Sequence, residues 1–247
     1  MSAFDLLYAS RLPMSRNLRM CRLIAFGTHD PDLFLYSPAT GQELHLLFKL
    51  LKLAPNDVLA DFGCGLGGAG LYVANCAKAR LFGVDGSLVA ATMAQQLGRN
   101  MMSTVPSIFV QGDIMGRIPQ FPACCIDGAM SVDVAMLLPD CPAFFREVAR
   151  CLKPGKMFAF TTYVMPTTIQ DYRPILEDAG FRVELYVQPE GWSQRQLLFY
   201  QTILFNQHAL LNECPSHAPA LIEEAATQSA MIANQLLQRL VISARKR

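Results

Sequence analysis

Charge of one sign is missing from this chain: Lys plus Arg total 21 and Asp plus Glu 20 over 247 residues. Without a net field there is no electrostatic ground for binding a phosphate backbone or an acidic membrane, so neither nucleic acid nor membrane is an expected partner. No apolar run approaches the roughly 20 residues needed to cross a bilayer. The segment from Met1 to Tyr8 also lacks the basic start and cleavage site of a secretory leader, which reads as a cytoplasmic protein. Cysteines at paired two-residue spacing are missing too. The eight present (Cys21, Cys64, Cys76, Cys124, Cys125, Cys141, Cys151, Cys214) are scattered, so no metal site is expected and most read as small core residues. No internal repeat or low-complexity segment interrupts the chain.

What the chain has in plenty is apolar surface. Hydrophobic residues make up 52% and the mean hydropathy is +0.24, which leaves apolar area to line a pocket for a small, partly apolar molecule. The length suits a single α/β domain over 1–247. Residues 1–40 form an N-terminal cover segment, with Arg11, Arg16, Arg19 and Arg22 spread among Leu and Met.

From Gln42 to Leu53 apolar residues recur at helical spacing, with Ser37 or Thr40 as cap and Pro55 as stop. Short apolar runs and helical patterns then alternate. Strands are predicted at 58–62, 81–84, 107–110, 124–131 and 157–163, the last after a Pro154-Gly155 turn, and helices at 71–79, 88–99 and 143–151. Such alternation predicts a Rossmann-like, doubly wound α/β sheet with helices on both faces. A helix over 169–179 and a strand over 181–187 follow. About fifty mostly helical residues then precede a last strand at 240–244, and the stretch 189–238 reads as a helical insertion forming a substrate lid.

The run Asp61-Phe62-Gly63-Cys64-Gly65-Leu66-Gly67-Gly68 joins a predicted strand to a predicted helix, where an open parallel sheet presents its ligand crevice. Asp85 ends the next strand about twenty residues on, suited to accept from both hydroxyls of a ribose. Gly63, Gly65 and Gly68 also satisfy the spacing of a nicotinamide dinucleotide site. Asp61 argues against that reading, because a carboxylate there repels a pyrophosphate but attracts the ammonium of an amino acid. Asp113, in Gln111-Gly112-Asp113-Ile114, is placed to accept from an adenine amino group. The loop also lies about sixty residues into the chain, behind a long helix.

Together, Val58 to Gly68, Gly83-Val84-Asp85, Gly112-Asp113-Ile114, Ile126 to Ser131 and Leu152-Lys153-Pro154-Gly155 resemble, in content and order, the class I S-adenosylmethionine-dependent methyltransferases, on their small-molecule branch. The resemblance covers roughly residues 40–165 plus the closing strand. It implies a seven-stranded sheet of order 3-2-1-4-5-7-6 with the last strand antiparallel, S-adenosylmethionine as cofactor and S-adenosylhomocysteine as product. It also implies that Asp61 and the backbone of Gly63, Cys64 and Gly65 hold the methionine part. Asp85 would take the ribose hydroxyls, Gly86 and Ser87 would border the adenine, and Asp113 with the Ile114 amide beside Gly112 would read the adenine edge. Ser131 and Val132 would floor the transfer site, and Tyr36 would close over the sulfonium.

Methyl transfer from a sulfonium is a direct displacement, so positioning and exclusion of water matter more than a fixed catalytic group. Many relatives carry a histidine after the fourth strand, whereas residues 131–138 here hold none. Asp133 and His208 are the candidate catalytic residues, the second on a Leu- and Phe-rich helix of the insertion. Of the other histidines, His45 reads as structural, and His29 and His217 carry no assigned role. Trp192, the only tryptophan, either lines the pocket or anchors the insertion. The function expected is methyl transfer to the carbon, nitrogen or oxygen of a small-molecule metabolite, with a homodimer left open. A second reading is a chain that keeps the fold and the cofactor but acts as a binding module, or catalyses a non-methylating reaction such as a cyclisation.

Overall fold

A computed structural model describes residues 3–28, 30–99, 104–116 and 121–247; His29 lies outside them. Among these residues seven strands make one sheet: β1 (Val58–Phe62), β2 (Arg80–Asp85), β3 (Ser107–Gln111), β4 (Ile126–Val132), β5 (Leu152–Val164), β6 (Phe181–Val187) and β7 (Gln238–Lys246). Their order is β3-β2-β1-β4-β5-β7-β6. β1 to β5 pair in parallel, and β7 runs antiparallel to both neighbours, β5 and β6. This is the topology that the sequence resemblance implied.

The strands are apolar on both faces because helices cover both. On one face α6 (Cys141–Cys151) and α7 (Arg173–Asp178) bury an aromatic layer in which Phe62, Phe144, Phe145, Phe158, Phe160 and Tyr172 are inaccessible to solvent. Phe158 and Phe160, two residues apart on β5 and so on the same face, stack with centroids 4.8 Å apart. On the other face α3 (Gly41–Leu51), α4 (Gly68–Ala77) and α5 (Leu88–Leu97) pack Leu44, Leu47, Leu71, Val73 and Ala94 against Leu59, Met130 and Ala159. Of the two caps offered for α3 the structure uses Thr40, in a capping box with Glu43.

The Pro154-Gly155 turn does not precede β5 but interrupts it. Ile126 pairs with Leu152 and Gly128 with Met157, so the intervening residues bulge outward. The bulge presents Lys153 and Lys156 to Asp127 at 2.7 and 3.6 Å, which holds that carboxyl below its usual range despite burial. The predicted helix at 169–179 is shorter, because Pro174 fixes its first turn at Arg173.

The remaining helices form a separate layer. From the N-terminus come α1 (Ala3–Ala9) and α2 (Arg16–Phe26); from the insertion come α8 (Trp192–Phe205), α9 (Gln207–Glu213) and α10 (Ala218–Ala233). They share one cluster built on Leu12, Leu18, Cys21, Phe199, Ile203 and Leu221. Trp192 is buried in it and donates from Nε1 to Gln188, so it anchors the insertion.

One polar group ties these parts together. Arg239 of β7 is fully buried, forked onto Glu43 of α3 (Nε to Oε1 2.5 Å, Nη2 to Oε2 3.2 Å), and its Nη1 donates to Asp133 Oδ1 at 2.9 Å. Its guanidinium lies 4.9 Å from the centre of the Tyr163 ring. Removing one member of such a cluster strands the other charges in a medium that cannot solvate them. Arg239→Met should therefore cost about 3–5 kcal/mol in urea unfolding; an unchanged midpoint would show that the cluster does not support the fold.

Candidate functional site

A cavity of about 330 Å³ opens at the carboxyl ends of β1, β2, β3 and β4. There the strands stop and their loops turn away into helices, leaving a crevice. Of the residues singled out in the sequence, Tyr36, Asp61, Gly63, Cys64, Gly65, Asp85, Gly86, Ser87, Gly112, Asp113, Ile114, Val132 and Asp133 all line it. Two do not. Ser131 faces away, its hydroxyl donating to the Phe62 carbonyl at 2.7 Å, so it pins β4 to the end of β1. His208 is exposed on α9 and is absent from the cavity wall, because the apolar face of the insertion turns toward α2.

The glycine loop is held from beneath. Gly63 and Cys64 donate to the Val84 carbonyl at 2.8 and 3.1 Å, and Gly65 donates to Asp85 Oδ2 at 2.8 Å. Gly65 has φ +53, and a Cβ there would come 2.8 Å from the Tyr8 hydroxyl; one on Gly68 would meet the Leu33 carbonyl at 1.9 Å. Glycine is therefore required both for the turn and for the close approach of other segments.

Asp61 sits at the mouth of this loop, 1% exposed, with neither carboxylate oxygen in a well-formed hydrogen bond among the described residues, although the Gly70 amide lies near enough to favour the charged form. Burial, with the charge of Asp85 added, pushes its carboxyl up to about 7. A buried orphan carboxylate is costly, and a native chain keeps one where a ligand completes it. Asp85 accepts from Gly65 and, through Oδ1, from Ser87 at 2.9 Å, yet burial still raises its pKa. Asp113, in contrast, is exposed on its loop and accepts from Met115 at 2.9 Å.

The cover over this crevice was only partly visible in the sequence. Phe4 and Tyr8 of α1 line the cavity, and Ser87 Oγ donates to Asp5 at 2.6 Å, fastening α1 to the start of α5. A second cover, residues 33–37, brings Leu35 and Tyr36 to the wall. Arg22, buried in α2, donates to the carbonyls of Ser37 and Ala39 at 2.6 and 2.7 Å and so anchors this strap. The insertion contributes no lining residue among those described, but Tyr36 Oη donates to Glu224 of α10 at 2.6 Å. Reading the sequence missed Tyr8, Glu43, Glu224 and Arg239. Only Glu43 left a signal, the Thr-x-x-Glu spacing of its capping box.

Comparison with known proteins agrees with this arrangement. Residues 60–160 match the family model described as methyltransferase domain. The chain is 24% identical over 150 residues to a sterol 24-C-methyltransferase of Eremothecium gossypii, covering 61% of this chain but 40% of that protein. Its fold matches a cyclopropane synthase of Mycobacterium tuberculosis at a TM-score of 0.76, with 13% identity over 99% of both chains. It also matches a phosphoethanolamine N-methyltransferase of Haemonchus contortus, solved with S-adenosylhomocysteine, at 0.73, with 17% identity over all of this chain and 60% of that one. The resemblance to class I S-adenosylmethionine-dependent methyltransferases is borne out in domain and in fold.

The orphaned carboxylate has a stability signature. The Asp61 carboxyl titrates at about 7 when folded against an ordinary value of 3.8. Between these values the folded chain holds a proton that the unfolded chain has lost, so stability falls as pH rises from about 4 to about 7. Asp61→Asn, which cannot ionise, is expected to gain stability on the ligand-free wild type between pH 5 and pH 8 in urea titrations. A difference that does not change with pH would refute the assignment.

Proposed function

We propose that this chain transfers a methyl group from S-adenosylmethionine to a small-molecule acceptor in the cytoplasm. The observation that carries the reading is Asp61, a buried carboxylate at the head of a glycine loop with both oxygens unpartnered. The ammonium of an amino-acid ligand supplies the charge and the donors that this carboxylate lacks. A pyrophosphate would worsen its situation, which argues against a nicotinamide dinucleotide.

In this reading Asp61 and the loop backbone from Gly63 to Gly65 hold the methionine part of the cofactor, and Asp85 exchanges part of its bonding to the loop amides for the ribose hydroxyls. Gly86 and Ser87 border the adenine, while Asp113 and the Ile114 amide, beside Gly112, meet its polar edge. Val132 floors the space next to the sulfur. When bound, the cofactor supplies an electrophilic methyl on a sulfonium. The chain's own part is to orient the acceptor and to exclude water, and the cover made by Phe4, Tyr8 and Tyr36 suits that task. Residues 131–138 hold no histidine, and the exposed position of His208 removes it from consideration as a base. Asp133 remains as the group next to the acceptor. No helix among the described residues is long and apolar enough to cross a membrane.

Isothermal titration calorimetry tests the cofactor site. S-adenosylhomocysteine is expected to bind, and Asp85→Ala to abolish detectable binding without unfolding the chain; no heat with wild-type protein would remove the proposal. The ligand's ammonium prefers ionised Asp61, so affinity should weaken as pH falls from 8 to 6, by up to about tenfold per pH unit below 7. Asp61→Asn should flatten that slope.

A further inference from the structure

The cavity has one carboxylate with no part in holding the cofactor. Asp61, Asp85, Asp113 and Asp133 line it, and among the described lining residues there is no Lys, Arg or His. If the first three hold the ammonium, ribose and adenine of the cofactor, as proposed above, Asp133 is left over. The nearest cation does not neutralise it alone: Arg239 is shared between Asp133 and Glu43, so this buried group of three carries one net negative charge. Asp133 Oδ2 is buried and has no hydrogen-bond partner among the described residues, while Oδ1 is fully used, accepting from Arg239 and from Thr161 Oγ1 at 2.7 Å. Asp133 also holds φ +56, uncommon for a residue with a side chain.

Behind the wall lies a further carboxylate, Glu224. It receives the hydroxyl of Tyr36, whose ring is part of the cavity wall. The Tyr163 ring lies under Arg239, and its hydroxyl donates to Gln196 at 3.0 Å. A cavity wall with carboxylates and no basic side chain among the described residues attracts a cation and repels an anion.

We infer that the acceptor is an amine, taken up in its protonated form with its cationic head at the bare Oδ2 of Asp133. The ammonium gives one proton to that carboxylate, and the freed nitrogen lone pair forms the N–C bond as the S–C bond of the sulfonium breaks. A hydroxyl could supply a donor but no charge of its own to set against the wall's negative charge. A carboxylate or phosphate head would add to it. This inference rests on the cofactor reading above, since that reading sets aside the other three acids.

Three ligands with one six-carbon chain and different heads test it: hexylamine, hexan-1-ol and hexanoate, titrated into protein saturated with S-adenosylhomocysteine. Hexylamine is expected to bind at least tenfold more tightly than either of the others. Asp133→Asn should weaken it about tenfold. Hexanoate or hexanol binding as well as hexylamine overturns the inference, as does hexylamine failing to bind a protein that has taken up S-adenosylhomocysteine. Failure of S-adenosylhomocysteine itself to bind is a separate result, and it overturns the cofactor reading first. The head-group comparison uses wild-type protein, so it decides the matter even if a variant does not fold.

Discussion

Negative charge held out of water at the carboxyl edge of the sheet is the constraint around which this molecule is arranged. β1 and β2 each end in, or next to, an aspartate, β4 is followed by another, and the helices that cover both faces of the sheet also bury those carboxylates. A buried carboxylate needs donors or a cation. Asp85 finds two backbone amides, Asp133 finds Arg239 and Thr161, and Asp61 has no well-formed hydrogen bond, only the nearby Gly70 amide. This gradation from satisfied to orphaned separates the scaffold from the site. Where the chain could pair its charges it did so, and where it left one bare a ligand is the natural partner.

The same logic explains why pieces distant in sequence meet at the crevice. Arg239 comes from the last strand and Glu43 from the first long helix, yet both serve the loop after β4. The guanidinium fork fixes that loop, while the excess of acid around it keeps the local charge negative. The N-terminal helices act in a comparable way from above. Arg22 holds the strap that carries Tyr36, and Asp5 holds α1 against the N-cap of α5, so the roof is tied down by polar bonds and shaped by apolar side chains. The insertion reaches this roof from behind through Glu224.

Much of this was legible in the chain. The alternation of apolar runs and helical patterns set out the strands, and the glycine loop with Asp61, Asp85 and Asp113 marked the edge where a ligand sits. These features are local: period, turn chemistry and the spacing between a strand end and its next acid survive without knowledge of the fold. The errors were of another kind. Ser131 sits one residue from lining positions but points the other way, because side chains alternate along a strand and the crevice takes only one parity. His208 lay on a helix with an apolar stripe, and only the packing partner shows which way that stripe faces.

By itself, then, the sequence determined the sheet, its order through the resemblance it carries, and the position of the glycine loop and its acids, since each rests on local patterns and on the order of motifs along the chain. The tertiary structure alone decided which carboxylates are paired and which are bare, that Tyr8 and Tyr36 roof the cavity, and that Arg239 reaches across to Glu43 and Asp133. Burial and pairing are properties of the space between elements, and no periodicity along a single element encodes the chemistry of its opposite wall.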